Sequence, residues 1–229
     1  MTERAGSTIV GELVVTNTGL EPALVLEGEL LEGGRQHRVA ARSVVVEPGR
    51  SAVLEVRCVE EGRWGGAGGH VRGGRRAPVR VRAATGQHEV WDRVRRYGDS
   101  ATASLLETTR GADAQAAALV RELRLLPFQS GVLIGIGGSP VLLEVFDSPL
   151  TLAQVWDGLL HAAAVDAVGR PAVTTPGRRA RCFAEEVKRV PRNAHGHGAT
   201  GEARVSVLGW RGRAVQTVAI NPRHELVTA

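Results

Sequence analysis

Short apolar runs, each closed by a glycine or proline turn, fill the first 83 residues of the chain. In SAVLEVRC, residues 51–58, every second residue from Ala52 to Cys58 is apolar, which is the pattern of a strand with one buried face. Turn signals such as Gly33-Gly34 and Pro48-Gly49 separate these runs, at the spacing of roughly ten residues that is typical of antiparallel sandwiches. This part of the chain is therefore predicted to be β-sandwich-like.

Helical patterns join the strands from residue 84 onward. Helices are predicted from Gln87, from Asp113 and from Ser148, and hairpins are predicted to turn at Gly137-Gly138 and at Trp210 to Gly212. Runs of strands followed by mixed helices and strands are typical of α+β proteins. We therefore predict an α+β fold in which a β-rich N-terminal part, residues 1–83, packs with an α+β C-terminal part, residues 84–229, or forms one continuous domain with it.

Two segments near this boundary carry predictions of their own. Residues 62–74, GRWGGAGGHVRGG, are predicted to be a mobile glycine-rich loop. Residues 77–85, APVRVRAAT, are predicted to be an edge strand, with Pro78 near its start. No acidic residue lies between Arg63 and Arg82, so the arginines of this stretch form either a solvated face or a phosphate-binding track.

The composition narrows the class of protein. The chain has 229 residues, a hydrophobic fraction of 43% and a net charge of +5, which suit a globular protein with a real core. The two cysteines, Cys58 and Cys182, form no paired motif, so a disulfide scaffold is not expected. No signal peptide and no apolar run of about 20 residues is apparent. We therefore expect a cytoplasmic protein without a membrane span.

Nucleic-acid binding has little support in the sequence. Residues 65–90 contain no aromatic residue, whereas single-strand binding normally adds stacking aromatics to basic residues. His195 and His197 have the spacing of two metal ligands on one strand face, but no third ligand can be identified from spacing. The sequence therefore predicts no metal site and identifies no cofactor.

The stretch VRCVEEGRW, residues 56–64, holds most of the candidate chemistry. Cys58 falls on the inward side of its strand, where a small buried thiol is the usual occupant, and a nucleophilic role is the alternative. Glu60 either lies on a solvated rim or forms a salt bridge with Arg63, or it acts as a general acid or base. Arg63 and Trp64 suit a phosphate group and a nucleotide base, although Trp64 could equally fill the end of the sandwich.

A second polar cluster lies in GGRQHR, residues 33–38. Gln36 and Arg38 share one strand face after the Gly33-Gly34 turn. They could present an amide and a guanidinium to a ligand together, or could form the outer face of an exposed hairpin.

These motifs together resemble one domain family, which is named for its association with ADP-ribosylglycohydrolases and rhodanese-phosphatase-superfamily proteins. The resemblance covers most of residues 10–165, and His37 stands where a smaller polar residue such as Asn is expected. The matching positions are Asn17, Gly28, Glu29, Gly33, Gly34, Gln36, Arg38, Cys58, Val59, Glu60, Gly62, Arg63, Trp64, Gln87, Trp91, Phe146 and Asp147. Members of this family are associated with ADP-ribose and nucleotide-related systems, and the family has no established activity. The resemblance therefore implies an accessory domain.

Three hypotheses follow for the surface that both motifs are expected to share. The first is a domain that binds a phosphate-bearing ligand, nucleotide or ADP-ribose-like, or a partner protein; its ligand-binding residues are Glu29, Gln36, Arg38, Arg63 and Trp64. The second is an enzyme acting on such a ligand, with Glu60 as general acid or base and Cys58 as a less favoured nucleophile. The third is a purely structural interaction module, in which the same side chains pair with one another.

Overall fold

The computed structural model describes residues 1–3, 11–63, 65–66, 69–190, 196–199 and 203–228. The chain forms two compact units, Met1–Asp113 and Ala114–Ala229. Each unit combines antiparallel sheet with helices, so the predicted α+β class is confirmed. The division after residue 83 rested on composition and stays a prediction about domains.

The N-terminal unit is built on one curled antiparallel sheet. Its described strands are β1 (Thr2–Glu3), β2 (Glu12–Thr16), β3 (Ala23–Val25), β4 (Glu29–Gly33), β5 (Arg38–Ala40), β6 (Val44–Val46), β7 (Ser51–Cys58) and β8 (His70–Arg76). The sheet order is β1-β2-β7-β5-β4-β8, and β3 and β6 form a separate ladder. Leu54, Val56 and Cys58 of β7 are buried, as their alternation predicts, and Leu54 packs in a core with Leu13 of β2.

Short helices follow the sheet in the same unit. They are α1 (Val79–Arg82), α2 (Gln87–Arg95) and α3 (Leu105–Thr108), with a 3₁₀ turn at Arg110–Ala112. The predicted helix from Gln87 is confirmed, and Val90 and Val94 of α2 are fully buried beside Val59 and Leu105. This second core fixes α2 against the end of β7, where the candidate site lies.

Two local predictions are wrong. Residues 70–74 of the predicted mobile loop belong to strand β8 (His70–Arg76), because the open edge of β4 supplies backbone partners that local glycine content does not reveal. The predicted edge strand contains helix α1 instead. Pro78 has φ of −53° and its carbonyl accepts hydrogen bonds from the N–H groups of Val81 and Arg82, so proline starts a helical turn here.

The C-terminal unit has a five-stranded antiparallel sheet in the order β11-β12-β13-β10-β9. Its elements are α4 (Asp113–Val120, beginning at the last residue of the first unit), β9 (Gly131–Ile136), β10 (Ser139–Phe146), α5 (Pro149–Ala167), α6 (Gly177–Arg189), β11 (Gly196–Ala199), β12 (Arg204–Trp210), β13 (Arg213–Ile220) and α7 (Glu225–Thr228). The predicted hairpins between β9 and β10 and between β12 and β13 are confirmed.

Two helices pack on this sheet for reasons visible in the sequence. The Ser148 hydroxyl accepts a hydrogen bond of 3.1 Å from the N–H of Thr151 and caps α5. Helix α6 buries Phe183 and Val187 against the apolar side chains of β12 and β13. Among the helices of the described ranges, none combines the length and apolar character required to span a membrane.

Candidate functional site

The sheet brings the two polar motifs together at one end. Arg38, the first residue of β5, is paired with Cys58, the last residue of β7. The turn before β5 and the segment after β7 therefore lie side by side. We call Gln36, Arg38, Cys58, Glu60 and Arg63 the motif cluster, because the contacts below join them. Glu29 lies elsewhere, and Trp64 falls outside the described residues.

Gln36 and Arg38 form a hydrogen-bonded pair in the interior of the N-terminal unit. Gln36 is 1% exposed, and its Nε2 donates a 2.8 Å hydrogen bond to the carbonyl oxygen of Glu60. Its Oε1 accepts a 2.8 Å hydrogen bond from Nη1 of the buried Arg38. The predicted amide–guanidinium pair thus exists, but its members face the protein interior and each other.

The Glu60 carboxylate is buried and engaged through its Oε2 atom. Its Oε2 accepts hydrogen bonds from Nε of Arg63 at 2.9 Å and from the backbone N–H of His37 at 3.0 Å, and Nη2 of Arg63 lies 2.8 Å away. Burial would raise the pKa of Glu60, but these donors and the Arg63 charge outweigh it, and the pKa is lowered. Glu60 is therefore an ionised, paired group.

The Cys58 thiol is also an interior group. It is fully buried, and its Sγ donates a 2.8 Å hydrogen bond to the carbonyl oxygen of Glu60. Burial raises the pKa of the thiol, despite the hydrogen bond to the Glu60 backbone and the nearby Arg38 charge. A nucleophilic cysteine needs a lowered pKa and access to substrate, and neither condition is met here.

Gln87 has a role that the sequence did not suggest. Among the residues that the structure describes, strand β2 pairs with β7 only as far as Glu55, and no described strand pairs with the outer edge of β7 at Cys58. The Gln87 amide takes that place: its Oε1 accepts from the N–H of Cys58 and its Nε2 donates to the Cys58 carbonyl, both at 2.8 Å. One side chain at the start of α2 thus completes the ladder of β7.

His70 is a second residue that the sequence missed, since it lies in the stretch predicted to be a mobile loop. Its ring covers Gly34, and its Nε2 lies 3.1 Å from the carbonyl oxygen of Gln36. Gly34 has φ of +57°, and a Cβ there would lie 2.2 Å from His70 Cε1. Only glycine therefore fits this turn, both for its conformation and for its contact with His70.

Within the described part of the chain, the motif cluster reaches solvent at Arg63, beside the partly exposed His37. The side chain of Arg63 is 30% exposed and that of His37 is 23% exposed. Nη1 of Arg63 donates two long hydrogen bonds of 3.3 Å, to the carbonyl oxygens of Gly34 and Gly65. Nδ1 of His37 accepts a 3.0 Å hydrogen bond from the N–H of Gly33. Burial lowers the pKa of His37, so the ring is neutral at pH 7.

The arginines that follow in the sequence pair with groups of their own unit. Arg72 forms an ion pair with Glu29, whose carboxylate also accepts from the N–H of Leu26. Arg82 is buried and lies 3.7 Å from a carboxylate oxygen of Glu27, and Arg76 donates to the carbonyl of Glu27. Glu29 is therefore bound to Arg72 and does not join the motif cluster.

Of the two histidines considered as metal ligands, the described residues include one. His195 lies outside the described residues, and His197 lies in β11. Within the described ranges, no group of three or more His, Cys, Asp or Glu side chains is arranged to bind a metal ion.

Comparison with known families decides where the chain belongs. The sequence profile of the ARG and Rhodanese-Phosphatase-superfamily-associated Protein domain, ARPP-1, matches residues 1–220. The chain belongs to the ARPP-1 family. The match extends beyond residues 10–165, on which the resemblance rested, and includes both compact units. No curated protein and no solved structure is significantly similar to the chain.

Proposed function

We propose that this chain is a cytoplasmic accessory domain that acts by binding and not by catalysis. The observation that carries this proposal is the state of Glu60, whose buried carboxylate is held ionised by Arg63 and by the N–H of His37. A general acid or base must exchange a proton near the working pH, and the lowered pKa of Glu60 opposes that role. The raised pKa of Cys58 opposes nucleophilic attack for the matching reason.

The proposed ligand is a phosphate-bearing molecule, nucleotide or ADP-ribose-like. If ARG in the family description stands for ADP-ribosylglycohydrolase, the domain accompanies enzymes of ADP-ribose chemistry. Arg63 supports this choice, because its Nη1 hydrogen bonds to Gly34 and Gly65 are long and one of its partners is exposed. A phosphate oxygen would replace such carbonyls with a stronger, charge-assisted bond. Trp64, the predicted stacking residue, is next in sequence.

In this proposal the remaining predicted residues position Arg63 and do not contact the ligand. Glu60 orients the guanidinium group, because its Oε2 accepts a hydrogen bond from Nε of Arg63 and lies 2.8 Å from Nη2. Gln36 and Arg38 fix the turn that carries the Gly34 carbonyl, since their polar groups are directed to the interior. The predicted direct contacts of Gln36, Arg38 and Glu29 with ligand are not part of the proposal, because each is buried and bound to another side chain.

A second candidate is a structural module that binds only a partner protein. It is favoured by the buried hydrogen bonds that Gln36 makes with Arg38 and with the Glu60 carbonyl oxygen, and by those that Gln87 makes with the Cys58 backbone. Such a buried network fixes the shape of a binding surface, although its own side chains are not exposed on that surface.

A thermal-shift screen separates these candidates. Nucleotides, NAD, ADP-ribose and short RNAs are tested on the wild type, on Arg63→Ala, and on Arg50→Ala as an exposed arginine control in the same unit. A ligand at 100 times its Kd stabilises the native state by about 2.7 kcal/mol. We expect a shift for phosphate-bearing compounds that Arg63→Ala abolishes and Arg50→Ala keeps. If no compound shifts the wild type, the ligand proposal fails and the partner-protein module stands.

A further inference from the structure

A groove in the C-terminal unit forms a second candidate binding site, unconnected with the motif cluster. It encloses about 570 Å³ between helix α6, the start of β10 and the residue after β13. Small-molecule sites typically have volumes of about 300–1,000 Å³. The groove therefore has the size of a ligand site and lies wholly within one compact unit.

The charge of the groove favours an anion. Helix α6 opens with GRRAR, and Arg179 and Arg181 of that stretch line the groove. Neither of these two arginines forms an ion pair with a carboxylate among the described residues. The carboxylates that also line the groove are already paired on the helix itself, Glu185 with Lys188 and Glu186 with Arg189.

The walls of the groove are held in place before any ligand arrives. Nη1 of Arg179 donates to the carbonyl oxygen of Gly138 at 3.0 Å and lies 3.3 Å from the Ser139 hydroxyl, so that guanidinium is fixed against the β9–β10 turn. Nδ2 of Asn221 donates to the carbonyl oxygen of Pro140 at 2.9 Å. Phe183, 5% exposed, and the buried Pro140 supply apolar surface. Preorganised walls reduce the entropy lost on binding.

We propose that this groove binds a small phosphate-bearing molecule, with Arg179 and Arg181 holding the phosphate and the Phe183–Pro140 surface contacting the organic part. Guanidinium groups match phosphate oxygens in geometry and charge. The ligand class follows from these two arginines and does not depend on the function proposed for Arg63.

Cys182 provides a reporter at the site. It lines the groove and is exposed, whereas Cys58, the other cysteine of the chain, is fully buried. Iodoacetamide, which is uncharged, should alkylate Cys182 alone in the native protein. The rate at which Cys182 is alkylated is followed by mass spectrometry, and a slower rate indicates that the groove is occupied. AMP, ADP-ribose, inorganic phosphate and adenosine are the probes, at constant ionic strength set with sodium chloride so that general screening is excluded.

We expect the phosphate compounds to slow alkylation of Cys182, by about tenfold at ten times their Kd. Protection by inorganic phosphate alone would identify free phosphate as sufficient, and stronger protection by AMP or ADP-ribose would identify a nucleoside phosphate; both support phosphate recognition. Equal protection by adenosine, or no protection by any probe, would overturn the proposal.

Variants complete the test, each compared with and without probe. Arg181→Ala should weaken protection by about tenfold in Kd or more, as expected when a charge-assisted hydrogen bond is lost. Arg178→Ala, a neighbouring exposed arginine of α6 that does not line the groove, should leave protection intact. Arg63→Ala should also leave it intact, which separates this site from the one proposed in the N-terminal unit. Protection that survives both Arg181→Ala and Arg179→Ala would contradict the assignment.

Discussion

Replacing Glu60 by Gln should destabilise the N-terminal unit, because the carboxylate is a structural partner of Arg63. The side chain is 4% exposed and accepts hydrogen bonds from Arg63 Nε and His37 N. Removing one partner of a buried ion pair costs about 3–5 kcal/mol. Since Arg63 is 30% exposed, water can hydrate its freed guanidinium, and we expect a smaller loss of about 2–3 kcal/mol, near that of charge-assisted hydrogen bonds.

The assay is urea unfolding followed by hydrogen exchange of the β5 and β7 amides, which reports on the N-terminal unit alone. The matched control is Glu61→Gln: Glu61 is adjacent, its side chain is 41% exposed, and it pairs with Arg95 at the surface. Exposed pairs contribute about 0–1 kcal/mol, so this variant should unfold nearly as the wild type does.

A double-mutant cycle with Arg63→Ala assigns the loss to the pair. Glu60→Gln combined with Arg63→Ala should be less destabilising than the sum of the single variants, by about 1–2 kcal/mol. The reasoning is refuted if Glu60→Gln is as stable as the wild type or more stable. That result is expected of a strained catalytic group, whose removal often stabilises a protein at the expense of activity.

Three further predictions concern the groups around this pair. Gln87→Ala should lower the free energy of unfolding by about 2–4 kcal/mol, since it leaves two backbone groups of β7 without a partner. Gln115→Ala, at an exposed helical position, should change that free energy little. Urea unfolding measures both variants. Gly34→Ala should lower the melting temperature sharply, because its Cβ would overlap the His70 ring, and differential scanning calorimetry measures this. Burial lowers the pKa of His37 from 6.5. The neutral ring therefore contributes to the free energy of unfolding above pH 6.5, and this contribution is lost as the pH falls through the lower pKa of the folded protein. His37→Asn should flatten that part of a profile of stability against pH.

The sheet and its buried face could be predicted because they depend on local patterns. The alternation from Ala52 to Cys58 identifies the inward face of β7, and the Gly33-Gly34 turn identifies the β4–β5 hairpin. Strand β8 could not be predicted in the same way. Its glycine-rich sequence has little strand preference, and it forms because β4 offers an unpaired edge.

The residues that form the candidate site could be predicted from the sequence, but what each side chain does there could not. Resemblance to the family placed Gln36, Arg38, Glu60 and Arg63 together, and the structure brings these side chains into contact. The Arg38–Gln36 and Arg63–Glu60 pairs are close in the sequence, but their burial against each other depends on the pairing of β5 with β7, which residue type does not reveal. The part played by Gln87 could not be read from sequence, because it depends on where β2 stops pairing with β7.

The most direct test of the central claim is the pKa of Glu60 itself, measured by ¹³C NMR titration of its side-chain carboxyl carbon. The account predicts a value below the ordinary 4.5 of a glutamate, because Arg63 and the N–H of His37 stabilise the ionised form in the folded protein. A pKa raised far above 4.5, to near neutral pH, would mean that burial dominates and that Glu60 can hold a proton near neutral pH. Such a result would contradict the binding account and would favour the hypothesis that Glu60 acts as a general acid or base.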